Sequence, residues 1–120
     1  MAGLEAKSLD RPDETRALPA KGKIEIVQLA GVTVGRATFE PGWRWSEHVK
    51  PIAGTDSCQS NHTGYVVSGR LRMRMNDGTE GEAGPGDAFV CAPGHDAWVV
   101  GDQPCVALDF SGMSDYAKRA

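Results

Sequence analysis

The amino-acid sequence predicts an all-β domain, a sandwich or barrel of short strands. Three observations carry this expectation. The chain holds 15 glycines and 7 prolines in 120 residues, which favours frequent tight turns over long helices. Short apolar runs recur between turn signals at roughly 8–12-residue spacing, as in sandwiches and barrels. Residues 70–75 alternate strictly, with Arg70, Arg72 and Arg74 on one face and Leu71, Met73 and Met75 on the other. That is the signature of a half-buried strand. Asn76-Asp77-Gly78 follows it directly and is the strongest hairpin signal in the chain.

The elements are read in order along the chain. Residues 1–22 are polar, carry Pro12 and Pro19, and read as an N-terminal arm. A short helix over Pro12–Ala17 fits there, capped by Asp10 with Pro12 in its first turn. Lys23–Ala30 and Val32–Glu40 read as strands, separated by Gly31 and closed by Pro41-Gly42. Trp43–Val49 reads as a further strand, which places Trp43 and Trp45 on one face. Pro51–Asn61 reads as a loop, on its Gly54, Asp56 and Ser57. His62–Ser68 is a strand punctuated by Gly69. Ala88–Ala92, Trp98–Val100 and Cys105–Phe110 are short apolar runs, the last a strand. Residues 114–120 read as a tail with a helical stub. The expected organisation is therefore an arm (1–22), a barrel domain (23–113) and a tail (114–120).

Composition narrows the function classes. Hydrophobic residues are 40% and charged residues 24%, ordinary globular usage. Thirteen Lys and Arg against 16 Asp and Glu leave a net charge of −3. A strongly basic field for nucleic acid is absent. No apolar run approaches the roughly 18 residues of a membrane span. Residues 1–16 hold no signal-peptide core, so the expected compartment is the cytoplasm. Three cysteines, Cys58, Cys91 and Cys105, are then free thiols or ligands rather than disulfides.

Two segments carry the chemistry. The first is Gly42-Trp-Arg-Trp-Ser-Glu-His48, a loop, Cys58-Gln-Ser-Asn-His62, then Thr-Gly-Tyr-Val-Val-Ser-Gly69. The second is Gly84-Pro-Gly-Asp87 through Pro93-Gly94-His95-Asp-Ala-Trp98. Together they resemble the two motifs of the cupin family. The first family motif is Gly, five residues, His-x-His, three or four residues, Glu, six residues, Gly. The second is Pro-Gly-Asp, then Pro-x-Gly, two residues, His. The resemblance covers residues from about 35 to 110.

The departures from that pattern are informative. Counted from Gly42, the first family His falls on His48 and the second on Lys50, which cannot ligate. Counted back from Gly69, the family Glu falls on His62, and Cys58 takes a second-His position. A loop enlarged by about eight residues reconciles the two counts. The last family His falls on Ala97, with His95 two residues earlier and so on the same strand face. All three histidines of the chain thus sit at or beside family ligand positions. His48, Cys58, His62 and His95 form the candidate set for a divalent metal. Imidazole with thiolate suits zinc first, with iron, nickel and copper also compatible. Four protein ligands would close a tetrahedral site, whereas three would leave one position for water or substrate.

The resemblance implies a cupin-type double-stranded β-helix, a jelly-roll barrel, that pairs as a homodimer through outer strands. Its leading functional reading is a metal-dependent enzyme acting on a small organic molecule. A non-enzymatic ligand-binding or sensory module is the alternative, because the ligand set departs from the family's. No nucleic-acid or membrane partner is expected. No separate catalytic base stands out, since Glu47 faces away from His48 on an extended strand. Cys91 and Cys105 read as core residues, the Arg70/Arg72/Arg74 stripe as a solvated face, and Asp87 and Asp102 as turn residues.

Overall fold

The computed structural model describes residues 3–113. The tail and the helical stub expected over 114–120 lie outside the described residues. Among the described residues, nine strands form two antiparallel sheets. In chain order they are β1 (Glu14–Ala17), β2 (Gly22–Leu29), β3 (Val32–Phe39), β4 (His62–Ser68), β5 (Leu71–Met75), β6 (Glu80–Ala83), β7 (Ala88–Cys91), β8 (His95–Val99) and β9 (Cys105–Asp109). The larger sheet has the order β1-β2-β3-β9-β4-β7 and the smaller β6-β5-β8. The two inner faces enclose one core, in which Ile24, Ile26, Trp43, Val49, Val66 and Cys105 are fully buried. No helix among the described residues is long and apolar enough to cross a membrane.

Alternation decides which side chains reach that core. In β4 the inward set is His62, Gly64 and Val66, while Thr63, Tyr65 and Val67 face out. In β9 it is Cys105, Ala107 and Asp109, and in β8 His95, Ala97 and Val99. The arginine stripe of β5 faces solvent as expected. It meets β6 across the hairpin, with Arg72 to Glu80 at 2.8 Å and Arg70 to Glu82 at 2.7 Å. Such exposed pairs are screened by solvent and add little to stability.

Several segments differ from the sequence expectation. The helix expected over Pro12–Ala17 is instead β1, paired in register with β2 from Glu14 opposite Ile26 to Ala17 opposite Lys23. Its short polar sequence shows little periodicity, but Arg16 turns inward and is 8% exposed. Arg16 donates to the Met113 carbonyl at 2.8 Å, and that long-range contact favours the extended form. The segment expected as a strand over Trp43–Val49 instead holds a helical turn, α1 (Trp45–His48), and a second turn, α2 (Lys50–Ala53), runs into the segment expected as a loop over Pro51–Asn61. Pro51 suits the first turn of α2, and Gly54 ends it with φ +74°. Trp43 and Trp45 are nonetheless core residues, 1% and 2% exposed.

Gly69 shows how tightly the barrel end is drawn. It follows a register shift at the end of β4 and has φ +75°. A Cβ there would strike the Pro104 carbonyl oxygen and lie 2.6 Å from the Cys105 Cα. Both obstacles are backbone. Left-handed strain and overpacking add up to about 3 kcal/mol of destabilisation for Gly69→Ala. Urea denaturation should show that loss, with the slope unchanged.

Candidate metal centre

His62 opens β4 and His95 opens β8, so the two imidazoles come from different sheets. Their ring centroids are 5.2 Å apart. Cys58 lies in the connecting loop and is held by backbone pairing. Its N–H donates to the His95 carbonyl at 2.8 Å, and its own carbonyl accepts from the Gly94 N–H at 2.7 Å. The Pro93-Gly94 turn makes this pairing available, with Gly94 at φ +93°. One thiol and two imidazoles are thereby brought together in the interior, at 2%, 8% and 3% exposure for Cys58, His62 and His95. One donor atom from each lies within 4.8 Å of the others.

His48 is not brought to this group. The expectation placed it at the family's first His position, on a strand. On helix α1 its side chain instead folds back, and Nδ1 accepts the Arg44 backbone N–H at 3.0 Å. Of the four candidate ligands, the structure groups Cys58, His62 and His95 and leaves His48 outside that group. The inward placement of His95, expected from its two-residue offset from Ala97, matches the structure.

Each imidazole has its outer nitrogen engaged. His95 Nδ1 donates to the Ala92 carbonyl at 2.7 Å. His62 Nδ1 donates to the Asp109 carboxylate. That leaves both Nε2 atoms as the inner ones. A backbone carbonyl or carboxylate on the far nitrogen is the usual support of a metal-ligating histidine. Cys58 Sγ stands 3.7 Å from His62 Nε2. The edge between sulfur and nitrogen of a tetrahedral zinc site is roughly 3.6 Å, from the usual bond lengths. The donor set and its outer hydrogen bonds fit a divalent metal ion.

Asp109 escaped the sequence reading. It is 5% exposed, and its other oxygen accepts the Ser111 and Gly112 N–H groups at 2.9 and 2.7 Å. The available signal was the inward run Cys105, Ala107, Asp109, which puts a carboxylate on the core side of an apolar strand. Cys91 was read as core and is buried. It also lies opposite His62 in the β4–β7 register, and its thiol reaches the His95 ring.

The electrostatics follow from this packing. Burial alone would raise the Cys58 thiol, but hydrogen bonds from His62 and His95 outweigh it and bring the pKa down to about 6. Burial alone would lower His62. Asp109 and Cys58 reverse that and raise it to about 9. His95 is likewise raised to about 10 despite burial, by Cys58, Cys91 and the Ala92 carbonyl. Asp109 sits below the usual carboxylate range, because His62 and two backbone N–H groups overcome its desolvation. Without metal, the centre is thus a thiolate between two imidazolium rings. A divalent ion would take the place of their Nε2 protons.

A cavity of about 40 Å³ adjoins the centre. His62, His95 and Asp109 form its polar end, with Phe39, Trp43 and Phe89 among the apolar walls. Gly64 leaves the room in which the Phe89 ring lies, since a Cβ there would be 2.6 Å from its Cζ. Cys58 does not line the cavity. A substrate held there meets the imidazole side of the centre rather than the thiol, which favours a ligand role for Cys58 over a nucleophilic one.

Solved structures share this architecture. A cupin-superfamily sugar phosphate isomerase from Silicibacter pomeroyi superposes with a TM-score of 0.62 at 19% identity, covering 92% of this chain and 76% of that one. The fold is a cupin fold. KdgF from Halomonas sp. superposes on it at TM-score 0.59 and 22% identity, covering 85% of this chain and 90% of its own. Bacillus subtilis oxalate decarboxylase gives 0.54 at 23% identity, and this cupin barrel spans 26% of that longer chain. No family model and no curated protein matches the sequence.

Proposed function

We propose that this cupin barrel holds one divalent metal ion, zinc first, on Cys58, His62 and His95, and presents it to a small organic molecule in the adjoining cavity. The observation that carries this reading is the convergence of one thiol and two Nε2 atoms with both Nδ1 atoms engaged elsewhere. Three protein ligands leave a position for water or substrate, the arrangement of catalytic rather than structural zinc. When bound, the ion supplies Lewis acidity, polarising a substrate oxygen or activating a water.

The chain's own residues do the rest. Asp109 fixes the His62 ring, Ala92 fixes the His95 ring, and Cys58 supplies the negative charge that balances a divalent ion. The apolar walls limit the water that reaches the centre. Among the known folds of this type, oxalate decarboxylase and the sugar phosphate isomerase are named for small polar substrates. That supports an enzyme of a small molecule, while the absence of an obvious general base keeps a non-catalytic binding module as the second reading. We further place the protein in the cytoplasm as a homodimer. Tyr65 and Val67 on β4 and Val90 on β7 leave an apolar outer face, at 41%, 48% and 78% exposure, in support of pairing. Sedimentation velocity at micromolar protein should return twice the chain mass.

Elemental analysis is the direct test of the metal. About one zinc per chain is expected after loading and removal of free ion. Cys58→Ser keeps the size of the side chain and removes the thiolate, so its zinc affinity should fall by at least about 100-fold. Full stoichiometry with unchanged affinity in that variant would refute the assignment.

A further inference from the structure

The cavity beside the centre is shut. At about 40 Å³ it has room for a few waters, whereas pockets for small organic ligands run to roughly 300 Å³ and above. A molecule that reaches the metal must displace part of the wall. Most of that wall cannot move alone. Apart from Trp43 and Met113, every described lining residue lies in a paired strand or in α1. Trp43 is fixed on both sides of its backbone, where its N–H donates to the Glu40 carbonyl at 3.0 Å and its carbonyl accepts from the Val99 N–H at 3.0 Å. Met113 belongs to no strand or helix, yet it is 3% exposed.

Met113 is carried by a strap, residues 110–113, that leaves the end of β9 and passes over the His62 end of the cavity. The Phe110 N–H donates to the Thr63 carbonyl at 2.9 Å, and the Ser111 hydroxyl to the Asn61 carbonyl at 3.0 Å. Gly112 runs against the His62 ring, where a Cβ would lie 3.0 Å from the His62 Cε1 and 2.7 Å from the Asn61 carbonyl oxygen. The Met113 side chain then drops beside Gly35, an inward glycine of β3. A Cβ on Gly35 would lie 3.0 Å from the Met113 sulfur. An unbranched thioether is the most adaptable of apolar side chains.

The far end of the strap is tied by a charge. Arg16 on β1 is 8% exposed and donates from Nη1 to the Met113 carbonyl at 2.8 Å. The Glu14 carboxylate accepts from its Nε at 2.7 Å and its Nη2 at 3.2 Å, which aims the guanidinium. Arg16 itself does not line the cavity.

Resting on the metal reading above, we propose that Met113 is the gate of the metal centre: its side chain fills space that a ligand needs, and Arg16 on its carbonyl holds it closed. Opening lifts residues 110–113 and leaves both sheets intact. A ligand too large for the closed cavity binds with an affinity reduced by the fraction of chains that are open. A ligand that fits the closed space is indifferent to the gate. Met113 therefore selects by size, and Arg16 is a positioning residue that acts through it.

Full-length protein loaded with cobalt(II) gives the first test, because a ligand entering the open position changes the visible bands of the ion. The probes are azide, small enough for the closed cavity, and imidazole, which is not. With Met113→Ala, imidazole should bind at least ten-fold more tightly, and azide within two-fold of the unmutated protein. Arg16→Met removes the guanidinium and keeps an apolar stem. It should raise the association rate of imidazole at least ten-fold and leave that of azide within two-fold. If Arg16→Met does not fold, Gly35→Ala presses on Met113 from inside the barrel and should give the same result. Imidazole binding unchanged by these variants, or azide gaining as much as imidazole, would overturn the gate and leave the metal standing.

The second test needs no metal. Amide exchange of the unmutated, metal-free protein is followed by NMR across low urea concentrations. The Ser111 and Gly112 amides should exchange at least 100-fold faster than those of β9, with almost no dependence on urea. That is the behaviour of a local opening that exposes little surface. Exchange of the strap together with β9, on the same steep urea dependence, would overturn the gate whether or not the protein takes up metal. Failure of metal uptake would overturn the metal reading alone, and the exchange result would then decide the gate.

Discussion

His62→Ala should abolish zinc retention and destabilise the metal-free protein as well. Two separate losses combine in this substitution. The first is the ligand: with Cys58 and His95 alone, the ion has two protein donors instead of three, and a stoichiometry near zero is expected after dialysis. The second is Asp109, which is 5% exposed and would keep its charge without the imidazole it faces. Removing one partner of a buried pair costs about 3 kcal/mol or more, here moderated by the Ser111 and Gly112 N–H groups. His62→Ala with Asp109→Asn removes the stranded charge. That double variant should regain part of the stability and none of the zinc. Calorimetric melting beside elemental analysis checks both halves. In the unmutated protein, zinc at about 1,000 times its dissociation constant should add about 4 kcal/mol, on the order of 15 °C in melting temperature. The His62→Ala variant should show no such rise.

The second large effect is on pH. Without metal, Cys58 is a thiolate above about 6, while His62 and His95 stay protonated to about 9 and about 10. Between about pH 6 and 9, each ion bound must displace about two protons. Zinc affinity should then rise about 100-fold per pH unit in that range and flatten above it. Calorimetry in buffers of different ionisation enthalpy should count the released protons directly. Asp109→Asn removes a cause of the raised His62 value, so its slope near neutrality should fall toward one proton. The metal-free protein has the opposite trend. Because His62 is raised above its ordinary 6.5, its contribution to stability is complete below 6.5 and is lost as pH climbs through about 9. Asp109 is lowered, so its contribution is present above its ordinary 3.8 and is lost as pH falls through its lower folded value. A metal-free optimum between about pH 4 and 6.5 follows for this pair, which thermal melts across pH would show.

The sequence made most of the barrel legible and part of the centre. Strands with clear alternation, such as residues 70–75 before Asn76-Asp77-Gly78, have neighbours of their own hairpin to specify them. β1 lacks that alternation: its pairing with β2 is local, but the contact that holds Arg16 inward, to Met113, lies 97 residues away. Trp43 and Trp45 misled for a different reason. Two buried residues spaced by two imitate a strand, yet one precedes a helical turn and the other begins it. His48 was expected from its count from Gly42 alone, and α1 turns its ring back onto the Arg44 backbone. His62, His95 and Cys58 were legible through their spacing from Gly69 and the Pro-Gly turn. Asp109 was not, because its partner is 47 residues away and only the folded sheet brings β9 beside β4.

The distribution of the three ligands has a kinetic consequence. His62 belongs to the six-stranded sheet, His95 to the three-stranded one, and Cys58 to the loop pinned between them. No single hairpin contains the set, so a partly folded chain has no place for the ion to settle. Loading comes after the sheets have closed, and zinc should leave the folding rate almost untouched. Opening the barrel must first part the ligands, so the bound ion acts on the unfolding limb alone. The same protein would then refold at one speed with or without zinc, and yet hold its amide protons against exchange far longer once loaded.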